Sequence, residues 1–408
     1  MAFPTKPLRE CARLASGGTP SKANPTFWGG PIAWLTPKDM SRFDGTTQDS
    51  VTRGAIGNGT REASAESLFI AVRGMSLHNE IRVVRPKRKM AFNQDIKAIT
   101  PVAAVDGRFL HYALLAKIPD LLDAVEAAGH GTGVLPTDKL NSLPIPDIPL
   151  SEQRAIAATL GALDGKIELN RKMNSTLDSM ARALFRDWFV DFGPTRAKMA
   201  GTAPYLSDDL WSLFPDRLDD EGKPEGWEIR SLGDFADLKG GKQLEKEHIS
   251  STGPIPVFGG AGVMGFTANH NAEGFLISVG RVGAYCGQFF SHRGKAWINN
   301  NASLIRPNSD VSGEWLLIAL RHIDMDVIKK GAAQPFVSNG DIAKVGIVWP
   351  GDAIIDAFSS ALVSLMRKAE TNERESDTLS QTRDLLLPRL MSGELRLAEA
   401  SETLEAVL

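Results

Sequence analysis

The stretch "IRVVRPKRKMAFNQ", residues 81–94, crowds Arg82, Arg85, Lys87, Arg88 and Lys89 around Pro86. A loop with that many cations suits contacts to phosphates, and the same run also suits a plain solvated face. Further along, Arg281, Arg293 and Lys295 flank "VGAYCGQFFSH", and Asn299, Asn300 and Asn301 follow. Asparagine amides match adenine edges and equally hold turns. Thr36, Lys38 and Arg42 come shortly after Trp34 and are expected to face nucleic acid. Trp28 and Trp34, separated by Gly-Gly-Pro and two further residues, are expected as core or turn anchors rather than base-stacking platforms.

Catalytic chemistry finds little support. "NPTF", residues 24–27, has Thr26 where an amino-methyltransferase motif has a second proline, and no cofactor-binding glycine motif lies nearby. A turn is the better reading. "GAGVMG", residues 260–265, fits G-x-G-x-x-G by letters, but "FTANHNAEG" follows where a helix N-terminus should receive a pyrophosphate. His78, His111, His130, His248, His270, His292 and His322 are scattered and form no metal-spaced pair. Cys11 and Cys286 lie too far apart in sequence to suggest a zinc site or a disulfide framework. No cofactor and no metal are expected.

Length and composition bound what must position these residues. At 408 residues, 42% hydrophobic and 23% charged, the chain should fold as two or three globular domains. No apolar run approaches the roughly 20 residues that span a bilayer, and "MAFPTKPLRE" has no apolar signal core, so cytoplasmic residence is expected. The net charge of −3 is unevenly spread. Residues 1–150 are net basic, residues 227–350 nearly neutral, and the acidic excess sits in 193–226 and 351–408. That asymmetry permits nucleic-acid binding.

Two long helices are legible by their period. Ile156, Leu160, Leu163, Ile167, Leu177, Ala181, Leu184 and Trp188 recur in steps that mark a coiled-coil seam, interrupted by Asn170 and Asn174. A shift of 202 lays Phe358, Leu362, Leu365, Ala369, Asn372 and Leu379 over a second such seam. The same shift superposes Gly129 and Ile145 on Gly331 and Ile347; a shift of 206 puts Pro101 on Pro307 and Phe109 on Trp315. At 224, "LRECARLASGG" lies over "LGDFADLKGGK". The chain therefore reads as a globular domain followed by a long helix, written twice. Strands are expected at "SLFIAV" and "GFLISV", and an amphipathic helix at "GRFLHYALLAKIPDLLDAVEAAG". The first long helix should start with Ser151 as N-cap and stop near Gly193-Pro194; the second should bend or end at Pro388. Gly161 and Gly165 would admit a close helix partner, and Asn170 should face the region of Asn372 and fix register.

"LPIPDIPLSEQRAIAATLGALDGKIELN", "LFRDWFVDF", "LLLPRLMSGEL", "GGTPSKANPTFWGGPIAWLTPKD" and "PIPVFGGAGVMG", by their order along the chain and on this duplicated plan, resemble the DNA-specificity subunits of type I restriction–modification systems. "GDAIIDAF" departs from the pattern by lacking the Glu-Gln of "SEQ". The resemblance covers about residues 1–397 and implies an α+β fold: two globular β-rich target recognition domains separated by two long antiparallel coiled-coil helices, in a pseudo-two-fold repeat. It divides the chain into recognition domain 1–150, spacer helix 151–192, connector 193–226, recognition domain 227–350, spacer helix 351–397 and tail 398–408. It implies a non-catalytic subunit that reads double-stranded DNA at two separated half-sites. Partners would be modification (methyltransferase) subunits, two of them, and restriction/translocase subunits that methylate adenine or cleave. A methyltransferase with a fused recognition region and a coiled-coil adaptor that binds protein remain the competing readings.

Overall fold

The computed structural model describes residues 3–128, 131–331, 334–397 and 399–400, with Arg42 described by its backbone alone. Gly129, His130, Ala398 and residues 401–408 lie outside the described residues. The chain divides into two units, Met1–Asn170 with Glu373–Leu408, and Arg171–Asn372.

The first unit runs β1 (Thr5–Pro7), α1 (Leu8–Cys11), β2 (Ala12–Ser16), β3 (Trp28–Leu35), β4 (Asp49–Val51), β5 (Glu62–Ala63), β6 (Leu68–Ala71), β7 (Arg73–Gly74), β8 (Val83–Val84), β9 (Met90–Phe92), β10 (Ile96–Pro101), α2 (Gly107–Ala116), α3 (Ile118–Asp123), β11 (Glu126–Ala128), β12 (Thr132–Val134), α4 (Thr137–Ser142), β13 (Pro144–Pro146) and α5 (Leu150–Phe189). Its sheets have the orders β2-β10-β6-β8, β4-β3-β9-β5, β11-β12-β7 and β1-β13. The strand expected at "SLFIAV" is β6, buried along its length between β10 and β8.

The second unit adds α6 (Gly193–Met199), α7 (Asp208–Leu213), β14 (Glu228–Ser231), α8 (Leu232–Phe235), β15 (Ala236–Gly240), β16 (Ile255–Gly259), β17 (Gly262–Thr267), β18 (Phe275–Gly280), β19 (Phe289–Arg293), β20 (Trp297–Ile298), β21 (Ala302–Pro307), α9 (Gly313–Arg321), α10 (Asn339–Ala343), β22 (Gly346–Trp349) and α11 (Asp352–Ser392). Here the orders are β15-β21-β18-β19, β17-β16-β20 and β14-β22. Three of the first unit's four sheets recur here, including a parallel pair, β3 with β9 and β16 with β20, while β11-β12-β7 has no counterpart among these sheets. Caps match as well. The Asp106 carboxylate accepts from the Arg108 and Phe109 amides to start α2, and the Ser312 hydroxyl accepts from Trp315 to start α9. Phe109 and Trp315 both fill their unit's core.

The helix expected over "GRFLHYALLAKIPDLLDAVEAAG" is broken. It stops at Ala116, restarts as α3 with Pro119 in its first turn, and Glu126–Ala128 pairs as a strand. Proline has no amide to donate and is best accommodated in the first turn of a helix. The first long helix begins one residue before Ser151. The second continues through Pro388 to Ser392, its Leu386, Leu387 and Leu390 buried on both sides of the proline.

Each long helix contributes to both units. In the first unit Ile156, Leu160, Leu163 and Ile167 pack with Leu379, Leu386 and Leu390. Asp164 takes Arg383 at 2.8 Å, and Asn170 Nδ2 donates to Glu375 at 2.8 Å and Ser376 at 3.3 Å, so the two segments run antiparallel. In the second unit Phe185, Trp188 and Phe189 pack on Phe358, and Asn372 Nδ2 donates to Asn174 at 2.8 Å. Asn170 therefore bonds Glu375 and Ser376 in the region of Asn372, the repeat pairing each asparagine with the residue four past its counterpart. Gly161 and Gly165 do not press on a helix partner. A Cβ at Gly161 would approach only the Tyr112 hydroxyl, at 3.8 Å, and one at Gly165 would meet nothing within 4 Å.

Candidate nucleic-acid interface

The cationic loop wraps β8 and splits by environment. The Arg82 guanidinium donates to the Pro37 carbonyl at 3.0 Å and to Glu80 at 2.9 and 2.7 Å, leaving its side chain 19% exposed. Arg85 is half-buried near His111 and Tyr112. Burial drives the His111 pKa down to about 4, and Arg85 and Arg383 add to that against the opposing Asp164. Lys87, Arg88 and Lys89 are exposed. Arg88 reaches the Gly45 carbonyl, while Lys87 and Lys89 have no ion-pair partner among the described residues. Nearby, Thr36 caps the turn by donating its amide and hydroxyl to Asp39 at 2.8 and 2.6 Å. Lys38 is exposed beside Asp39 and Asp44, and the side chain of Arg42 lies outside the described structure.

In the second unit, Arg293 lies over the Phe275 ring, 5.0 Å from its centroid, and pairs with Glu314 and, at 3.5 Å, with Glu370. Those partners fasten β19 to α9 and α11. Lys295 is exposed, its carbonyl facing His292 at 3.1 Å. Arg281 is half-buried just past β18.

Asn299 is 5% exposed; its amide nitrogen contacts the Met264 sulfur at 3.5 Å and its oxygen accepts from the Asn300 amide at 2.7 Å. Asn93, 6% exposed, has the equivalent place in the first unit. Each asparagine backbone amide bonds a strand-end carbonyl, Leu35 for Asn93 and Phe258 for Asn299. Against each presses a glycine with no room for a Cβ. At Gly17 that atom would fall 2.1 Å from the Asn93 carbonyl oxygen, and at Gly241 2.0 Å from that of Asn299. Trp34 and Trp297 tie the same junctions, donating to the Gly18 and Lys242 carbonyls at 3.1 and 2.9 Å. Trp28 meets Trp34 edge to face at 5.0 Å. Asn300, Gln94 and Gln243, by contrast, stand in solvent.

The candidate catalytic motifs resolve into structure. In "NPTF" the Asn24 side chain accepts from the Thr26 amide and hydroxyl at 3.1 and 2.7 Å, capping a single turn. "GAGVMG" joins and enters the β16–β17 hairpin. Among the described residues no group of three or more His, Cys, Asp or Glu is placed to hold a metal ion. Cys11 and Cys286 are buried free thiols, and burial pushes Cys11 up to about 11.

Comparison with known proteins settles the family. Residues 3–179 and 224–378 match the type I restriction modification DNA specificity domain, once per repeat. The chain belongs to that family. It is 26% identical to the type I restriction enzyme MjaIX specificity subunit of Methanocaldococcus jannaschii, over 97% of this chain and 94% of that one. The HindI specificity subunit of Haemophilus influenzae is 29% identical over 63% of this chain and 70% of its own. The crystal structure of the type I restriction–modification S subunit from M. genitalium shares the fold, with a TM-score of 0.54 at 18% identity, 95% of this chain and 96% of that chain being covered. Among the described residues, no helix of this specificity-family chain is long and apolar enough to cross a membrane.

Thr19, Gln94 and Gln243 are exposed polar residues outside any cluster of charge. The repeat itself was the available signal, since a shift of 206 lays Asn93-Gln94 over Asn299-Asn300.

Proposed function

We propose that this chain is the non-catalytic sequence-recognition subunit of a cytoplasmic type I restriction–modification complex. Each β-rich domain reads one half of a bipartite duplex target, and the paired long helices set the distance between the halves. Modification subunits, two per chain, methylate adenine at the site so chosen, and restriction/translocase subunits cleave when it is unmodified. The observation that carries the reading is one sheet scheme built twice with unlike exposed side chains, Thr19 and Gln94 in one copy against Gln243 and Asn300 in the other. Two copies of a scaffold with different rims suit two different half-sequences. Exposed cations, Lys38, Lys87, Arg88, Lys89 and Lys295, hold the backbone without choosing sequence.

The test exchanges residues 1–150 for the matching domain of another family member, within the full chain and with modification subunits present. One half of the methylated sequence should change and the other should persist. A change in both halves, or in neither, would overturn the reading.

A further inference from the structure

In the first unit β2 and β10 pair as far as Ser16 and Lys97, where the ammonium donates to the hydroxyl at 2.6 Å. Three residues farther along both strands, beyond the ladder, the Thr19 hydroxyl donates to Gln94 Oε1 at 2.5 Å. In the second unit β15 and β21 pair as far as Gly240 and Ser303. Three residues farther along, Asn300 Nδ2 donates to Gln243 Oε1 at 3.5 Å. Both pairs are exposed and occupy the same step of the same ladder. Each amide stands next to the buried asparagine and glycine junction described above, so its backbone has little freedom. Rigid placement is what a reader of base edges needs.

A cation accompanies each pair, and it comes from a different strand in each unit. Lys97 and Ser16 of the first unit are replaced by Ser303 and Gly240 in the second. There Arg281 Nη1 lies 3.6 Å from the place a Gly240 Cβ would take. Arg281 holds the position of Val72. The Val72 and Arg281 amides donate to Asp95 and Asn301, and their carbonyls accept from Leu135 and Val337. A buried valine has thus given way to an arginine whose Nε is buried with no hydrogen-bond partner among the described residues. Leaving such a donor unpaired is costly, and a guanidinium without a carboxylate is matched by a phosphate.

We propose that these two rims are the base-reading edges of the molecule. Gln94, held by Thr19 and by Asp95, which accepts from its Nε2 at 3.4 Å, reads one half-site and Asn300, held by Gln243, the other, with Lys97 and Arg281 gripping a phosphate beside each. A side-chain amide offers a donor and an acceptor side by side, which complements the N7 and N6 edge of adenine in the major groove. The inference rests on the two-reader function proposed above.

The experiment maps methylated sequences for Gln94→Ala and Asn300→Ala in the complex with modification subunits, alongside the exchange of residues 1–150. Each substitution should relax preference at one base position by roughly 10–100-fold, in different halves, Gln94 in the half that the exchange alters. Gln94→Glu and Asn300→Asp keep the side-chain shape, and should move the preference at that position toward cytosine, whose N4 donates to a carboxylate. Arg281→Val installs the residue of the other unit; it should weaken specific and unrelated duplexes alike and reduce the slope of log K against log salt by about 0.9. Folded variants with unaltered base preference at every position, or a uniform loss of affinity from the amide substitutions, would overturn the proposal while leaving the two-reader function intact. An exchange that alters neither half would instead remove the function on which it rests.

Discussion

Lys87 and Lys89 differ from Arg82 in what already holds them. The lysines face solvent without a partner among the described residues, so Lys87→Ala and Lys89→Ala should each lower the salt slope of DNA binding by about 0.9 at unchanged stability. Arg82→Ala should leave that slope alone and cost about 1–3 kcal/mol of stability, because the Pro37 carbonyl loses its donor. Salt titrations and thermal melts on the same variants check both statements. His111 makes the first unit sensitive to acid. Its pKa falls from about 6.5 to about 4 on burial among Asp164, Arg85 and Arg383, so the neutral ring is the folded form. The stability it contributes is complete above pH 6.5 and is lost as pH drops toward 4. His111→Gln should flatten that part of the pH profile; an unchanged profile would show that other groups set it. The sequence displayed these cations but not their occupancy. Glu80 is two residues from Arg82, whereas Arg293 finds Glu314 and Glu370 only through the fold.

At the scale of elements, apolar period and repetition carried far. The shifts of 224, 206 and 202 recover the matching of α1 with α8, β10 with β21 and β13 with β22. Helix ends were less legible, because the leucines around Pro388 bury enough surface to keep α11 going past a missing amide. The missing Glu-Gln of "GDAIIDAF" also has a structural answer. Gln153 is buried and joins Ile148 at 2.9 Å, Ala104 at 3.3 Å and the Asp106 amide at 2.9 Å, whereas its counterpart Ile355 packs in an apolar core. Gln153→Leu should therefore destabilise the first unit by about 1–3 kcal/mol, since it strands buried backbone groups. Gly165→Ala should do the reverse. With nothing within 4 Å of the new methyl, the helix gains about 1 kcal/mol, seen as a higher melting temperature. A lower one would mean that the glycine serves a contact outside this chain.

At the scale of the whole molecule, the proposed function has one chain carry two unlike readers. Family membership rests on two matched segments, 3–179 and 224–378, and the duplicated sheets rest on the same halves. The weak net charge of −3 does not oppose DNA binding, because the acidic excess lies outside the two basic-to-neutral domains. The most direct measurement is the sequence methylated when this chain is expressed with its modification subunits and the DNA is read for modified adenine. Two short specific segments of different sequence are expected, separated by a fixed number of positions at which any base is accepted. A single continuous sequence, or two identical halves, would contradict the proposed function.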